Sequence, residues 1–264
     1  MNKFYIQIAL FLLNIFAYAN NETFAAETAP GEDTKPQLRS RYPTPEEVYK
    51  KNKHLLRKFK SNIGFPEVMN EAVKKLEYYA TTTDGYEPCI QNHGDGISFY
   101  KKKIDDNTDI LKINLNIYAA SQYDDIVNRL WDPDSPNIFN KGDVELARVY
   151  GPNLIGISQI CKKDSESYQK YFTAFVSMAE ISKDKTIIAM TSSNTTDGNH
   201  PDIIYKNPIL KNVYSGVIRT NHNDYVINEK YKEVNVNLAG YLIEKKGDDL
   251  EITYIESIDG HSSI

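Results

Sequence analysis

Few side chains in this sequence stand at the spacings that chemistry requires. The five histidines are His54, His93, His200, His222 and His261, and no two of them fall at a metal-ligand spacing on one helix. Asp197, His200 and Asp202 are close enough in sequence to meet in a loop, and a polar turn accounts for them better. Gly156-Ile157-Ser158-Gln159-Ile160 lacks the second glycine of a nucleophile elbow, and there is no phosphate-cradling Walker loop or dinucleotide-binding glycine fingerprint. No catalytic residue, metal or cofactor is expected. Cys89 and Cys161 are too few for a cysteine zinc site, and either a disulfide or two buried thiols fits them. Two arginines stand out instead: Arg148 lies within the apolar segment Val144 to Tyr150 and Arg219 within Val213 to Thr220. A guanidinium turned inward is costly unless something meets it.

The elements that position these residues follow from pattern. With 264 residues, 41% hydrophobic and 25% charged, the composition is globular. Lys plus Arg is 31 against 36 Asp plus Glu, a net charge of -5, which argues against nucleic acid as a partner. Nineteen Tyr and 10 Phe against one Trp suit a curved sheet or a cavity wall better than a helical bundle. Met1 to Lys3 carries one positive charge, Phe4 to Tyr18 is mostly apolar, and Ala17-Tyr18-Ala19 is a small-x-small cleavage pattern, with Ala25-Ala26 a second candidate. Residues 1–19 (to 26 by the second site) read as a secretory signal, 27–43 as an unstructured leader and 44–264 as one domain. An uncleaved anchor is the weaker alternative, since Gln7 and Asn14 interrupt a run shorter than the ~20 residues a span needs.

Thr44-Pro45-Glu46-Glu47 starts a helix predicted to run to about Lys60. Its Lys50, Lys51, Lys53, Arg57, Lys58 and Lys60 form a basic cluster; a solvated helix face is the simpler reading, anionic lipid headgroups the other. Val68, Ala72, Val73, Leu76 and Tyr79 give a second, amphipathic helix after Pro66. A short helix with a capping box at Ser121 to Asp124 carries Ile126, Val127, Leu130 and Trp131 and stops at Asp132-Pro133. Strands are expected at Ile97 to Lys102, Ile110 to Tyr118, Val144 to Tyr150, Leu154 to Cys161, Tyr171 to Ile181, Thr186 to Ser193, Val213 to Thr220, Val234 to Glu244 and Leu250 to Ser257. The order implies an α+β meander with its helices gathered on one face of a long curled sheet. Phe172, Ala174, Val176 and Met178 alternate on one face, and Val234, Val236, Leu238 and Leu242 are expected to share another. A face so apolar needs covering helices or encloses a hydrophobic cavity.

Tyr171-Phe172-Thr173-Ala174-Phe175-Val176 through Thr186 to Ser193 and on to His200-Pro201 resembles the central hairpin of START lipid-transfer domains. Ala239-Gly240-Tyr241-Leu242-Ile243, followed by Ile252 to His261, resembles their last two strands. Leu130-Trp131-Asp132-Pro133-Asp134, Glu180 to Ile188 and Ile255 to His261 are more closely similar to the fam-a proteins of rodent malaria parasites. The resemblance covers roughly Thr44 to Ile264. It implies a START-like helix-grip fold around a hydrophobic lipid tunnel, with phosphatidylcholine as cargo and transfer between membranes as the activity. The expected partners are this phospholipid and a transient membrane contact, and the protein is expected to act as a secreted, non-enzymatic monomer, in the parasitophorous vacuole or exported to the host cell. The same resemblance expects a C-terminal lid helix that the sequence lacks, as a truncated chain would. A phosphocholine headgroup wants a cation for its phosphate and rings around its ammonium. The candidates are Arg148 and Arg219 as cations and Tyr150, Tyr171, Phe175, Tyr241 and Trp131 as rings. The rival reading is a secreted variable interaction or antigenic protein that uses the START scaffold without transfer.

Overall fold

A computed structural model describes residues 41–56, 65–90, 96–135, 142–161, 169–192, 205–210 and 231–259. The expected signal, the leader up to residue 40, Arg219 with its expected strand, His93, His200, His222, His261 and the 197–202 cluster lie outside the described residues. Helix α1 is Pro45–Lys51. Thr44 caps it as its sequence dictates: the hydroxyl accepts from the Glu47 amide at 3.4 Å, and the Glu47 carboxylate accepts from the Thr44 amide at 2.8 Å. The helix is shorter than predicted. Asn52 ends it by donating its side-chain amide to the Val48 carbonyl at 2.9 Å, and a 3-10 turn, Lys53–Leu55, follows. Helix α2, Phe65–Thr81, buries Val68, Ala72, Leu76 and Tyr79 as its spacing requires, together with Met69 and Ala80.

The strands are β1 Glu87–Ile90, β2 Ile97–Lys103, β3 Asp109–Ile117, β4 Gly142–Gly151, β5 Leu154–Cys161, β6 Gln169–Ser182, β7 Lys185–Thr191, β8 Tyr231–Glu233, β9 Val236–Lys246 and β10 Asp249–Ile258. They form one curved sheet in the order β1-β2-β3-β10-β9-β7-β6-β5-β4. It is a meander from β4 to β7 and from β9 to β10, and the last strand inserts beside β3, joining the first hairpin to the rest. Every described pair along this path is antiparallel. The tenth strand, β8, departs from the expected meander by running parallel to the start of β6.

Helix α3, Tyr123–Trp131, follows a 3-10 turn at Ala120–Gln122. The capping box expected at Ser121 does not form, because the turn moves the helix start so that Gln122 stands at the cap position and makes no side-chain capping bond there. The chain leaves α3 at Asp132, whose carboxylate takes the Asp134 amide at 3.1 Å and the Ser135 hydroxyl at 2.9 Å.

The helices do not gather on one face. Along β9, Leu238 and Leu242 pack in the cluster of α2, while Ala239, Tyr241 and Ile243 pack in the cluster of α3. Side chains of a strand alternate between faces, so α2 and α3 cover opposite sides of the sheet. Phe172, Ala174, Val176 and Met178 all belong to the α3 face, as the alternation in β6 predicts. Val234, Val236, Leu238 and Leu242 do not share one face. The first two lie with α3 and the last two with α2, because the pairing of β9 with β10 shifts register between Ser257 and Ile258. On the α2 side the helix lies so close that a β-carbon on Gly240 would stand 2.8 Å from Leu76 Cδ1 and 1.9 Å from the Ile188 carbonyl oxygen. Gly240 has φ +142°, which a residue with a side chain rarely adopts.

Candidate functional site

The α3 face is the larger apolar surface and draws side chains from β2 to β4. The register aligns them in rows across the sheet. One row runs from Leu111 of β3 through Glu256, Ala239, Met190, Val176 and Ile155 to Val149 of β4. The next carries Phe99, Ile113, Tyr254, Tyr241, Ile188 and Met178. Valine, isoleucine and aromatic side chains dominate because a pleated, buried surface favours them. Among the described elements, α3 packs on β7, and Val48 of α1 with Leu55 of the turn after it reaches the same cluster.

Polar groups on this face are sparse and specific. Tyr254 and Glu256 are two apart on β10, hence on the same side, and the phenol of Tyr254 donates to the Glu256 carboxylate, both buried. Burial first, and the neighbouring carboxylate next, hold the Tyr254 phenol well above its ordinary pKa. The Tyr241 ring lies 5.2 Å from that of Tyr254, tilted by 43°. Tyr123 of α3 donates to the Thr186 hydroxyl at 2.8 Å and so fixes the helix start on β7. Among the described residues, Gln159 Oε1 on β5 and the indole Nε1 of Trp131 at the end of α3 meet no hydrogen-bond partner, on side chains 3% and 2% exposed. Buried polar atoms are rarely left so, and each wants a hydrogen-bonding group that no described residue supplies. At the β2 edge, Lys101 pairs with Asp109 at 2.7 Å.

The sequence candidates divide between the faces. Tyr241 and Trp131 are on the α3 face. Arg148 is not with them: two irregularities in β4, between Leu146 and Arg148 and between Val149 and Gly151, pair Arg148 with Gly156 and put it in the row of Phe175 on the α2 side. Strict alternation from Val144 and Leu146 would put it on the other side. Tyr150 also packs on the α2 side, its ring 5.8 Å from that of Phe175. Tyr171 alternates with Phe172, which turns it to the α2 side as well, half-buried beside β5. The proposed cation and its rings therefore do not make one pocket with Tyr241 and Trp131.

Glu256, Tyr254, Tyr123 and Gln159 escaped the sequence reading. The usable signal was an acid two residues from a tyrosine inside the apolar run Ile252 to Ile258. The strand period alone places that pair on one buried face.

A concavity of about 820 Å³ lies at the β2–β3 hairpin tip, between Asp105 to Thr108, the segment Tyr205 to Pro208 and Asp259. Its lining is polar and acidic, unsuited to an apolar ligand. Asn237 ties its floor together: it donates to Ser257 at 3.2 Å and to Asp259 at 2.8 Å, and accepts from the Tyr205 phenol. Burial, with Asp105 nearby, raises the Asp259 carboxyl above its ordinary value. Among the described residues no cluster of three or more metal-ligating side chains occurs, and no helix is long and apolar enough to cross a membrane. The Cys89 thiol lies 3.9 Å from the Glu87 carbonyl oxygen, and the side chain of Cys161 is outside the described set.

No protein-family model matches the sequence, and no curated protein matches it either. Solved structures do resemble it. Human StAR-related lipid transfer protein 5 aligns over 75% of this chain and 84% of its own at a TM-score of 0.51 and 10% identity. Human STARD10 aligns over 73% of this chain and 68% of its own at a TM-score of 0.46 and 13% identity. The architecture is α+β and START-like, a helix-grip fold built on a curved antiparallel sheet.

Proposed function

We propose that this protein is a non-enzymatic lipid carrier that extracts a phospholipid and passes it between membranes. The observation that carries the reading is the α3 face, an apolar surface running from β2 to β4 with isolated polar atoms set into it. Such a surface suits acyl chains, and its partnerless atoms suit a polar group of the same ligand. Phosphatidylcholine is the cargo to test first, because the sequence resembles START and fam-a proteins. On the same resemblance we propose that it acts as a secreted monomer of a malaria parasite, at the boundary between host and parasite. Native mass spectrometry of the secreted protein, followed by transfer of labelled phosphatidylcholine between vesicles, tests this. Bound lipid and catalytic exchange are expected. Protein that emerges empty and moves no lipid would turn the reading to a secreted interaction or antigenic protein on the same scaffold.

A further inference from the structure

The basic stretch that follows Glu47 is not used by the cargo face. From Val48 to Pro66 the chain has six Lys or Arg and no Asp or Glu, in a protein of net charge -5. The fold sorts the described part of this stretch by side. Val48 is 4% exposed and, with Leu55, packs against the α3-face core, while Lys50, Lys53 and His54, three and four residues apart, point to solvent. Beside them Leu56 bridges to Val149 of the edge strand β4 and leaves its side chain 37% exposed.

The acids beside this patch are Glu46, exposed one helical turn before Lys50, and three that are already engaged. Asp134 holds Lys51 at 3.1 Å, with Asp132 acting on the same ammonium, so Lys51 is already balanced. Glu47 is engaged by Thr44 and Arg41. No ion pair among the described residues holds Lys50 or Lys53; Lys53 Nζ lies 5.9 Å from the Tyr49 ring centroid.

We propose that this face, Lys50, Lys53 and His54 with Leu56 beside them, docks the protein on an anionic lipid surface. Cations within a Debye length of anionic headgroups are attracted whatever the distant net charge. The exposed leucine favours this partner over a nucleic acid, since a headgroup layer admits an aliphatic side chain and a phosphate backbone does not. The proposal goes beyond the carrier reading and does not depend on the α3 face holding cargo.

Co-sedimentation of the full chain with vesicles of phosphatidylcholine alone, and of equal parts phosphatidylcholine and phosphatidylserine, tests it without any transfer measurement. Binding is expected only to the anionic vesicles, weakening as salt rises. Lys50→Gln and Lys53→Gln should each cost about fivefold in partitioning. Leu56→Ser should lower affinity and leave the salt dependence unchanged. Lys74→Gln with Lys245→Gln removes the same charge from exposed positions on α2 and β9 and should leave binding unchanged. An equal loss in that control, binding indifferent to phosphatidylserine, or tighter binding to a DNA duplex than to the anionic vesicles overturns the proposal.

Discussion

Gly240→Ala is the sharpest single test of how the sheet is sealed on its α2 side. The added methyl would stand 1.9 Å from the Ile188 carbonyl oxygen and 2.8 Å from Leu76 Cδ1, at a backbone φ of +142°. Two costs arise. Holding a side chain at that φ costs about 1–3 kcal/mol. Forcing a methyl into a packed interface costs about 1–3 kcal/mol more, since the near neighbour is a strand carbonyl and not the tip of a flexible chain. A combined loss of about 2–6 kcal/mol is a large part of the 5–15 kcal/mol that a domain of this kind possesses. At about 2–4 °C per kcal/mol, the melting temperature should fall by roughly 4–24 °C, read by circular dichroism. Shortening Leu76 to alanine in the same chain should not restore it, because the Ile188 carbonyl remains in place. A Gly240→Ala protein that melts within about 2 °C of the parent would refute the close crossing of α2 over β9.

Gln159→Leu removes a buried acceptor that no described residue meets, so it should stabilise the cargo-free protein by about 1–3 kcal/mol in chemical denaturation while reducing retained lipid in native mass spectrometry. Thr44→Ala breaks the capping box of α1 and should cost about 1 kcal/mol, with faster amide exchange confined to that helix. Tyr123→Phe deletes the bond to Thr186 and should cost about 1 kcal/mol at an unchanged denaturant slope. The tyrosines set an alkaline limit. Tyr79, Tyr86, Tyr123, Tyr205 and Tyr254 are all raised above 10.0, chiefly by burial. Above pH 10 the unfolded chain has released these protons and the native protein retains them. Their contribution is therefore full below pH 10 and is lost as pH climbs through the raised native values. Tyrosinate absorbance should rise together with the loss of ellipticity; a rise well before unfolding would show that the phenols are not buried.

Local pattern carried the elements and failed where pairing decides. The Thr44 cap, the α2 stripe and the strand alternation of Phe172 to Met178 depend on neighbours in sequence, and each appears at its expected place. Helix α1 stops before Lys60 because Asn52 turns its amide onto Val48, a competition between side chain and backbone that propensity does not reveal. The placement of Arg148 has the same kind of origin. A period of two holds only while strands stay in register, and the shift past Leu146 turns the arginine across the sheet. The register shift opposite Ile258 divides Val234 and Val236 from Leu238 and Leu242 for the same reason. Neither shift leaves a glycine or proline at the residue that flips. The first insertion of β10 beside β3 is likewise a long-range choice, made by matching faces between segments more than a hundred residues apart.

The two faces divide the work of stability and of function. On the α2 face the helix meets the sheet at Gly240 with no room for a methyl, and Lys112 donates to the Thr82 carbonyl at the end of α2 at 2.7 Å. Substitutions there should be read in melting temperature. On the α3 face the helix packs into one apolar cluster with side chains from β2 to β6, and Gln159 and Trp131 carry polar atoms that no described residue meets. An unmatched buried atom lowers the stability of the protein that bears it unless a ligand supplies the missing bond. If cargo supplies it, lipid loading should stabilise the native protein, and Gln159→Leu should shrink that gain. The difference between loaded and empty melting temperatures, compared in parent and Gln159→Leu, thus separates a carrying face from an ordinary core, and equal differences would assign Gln159 to the core.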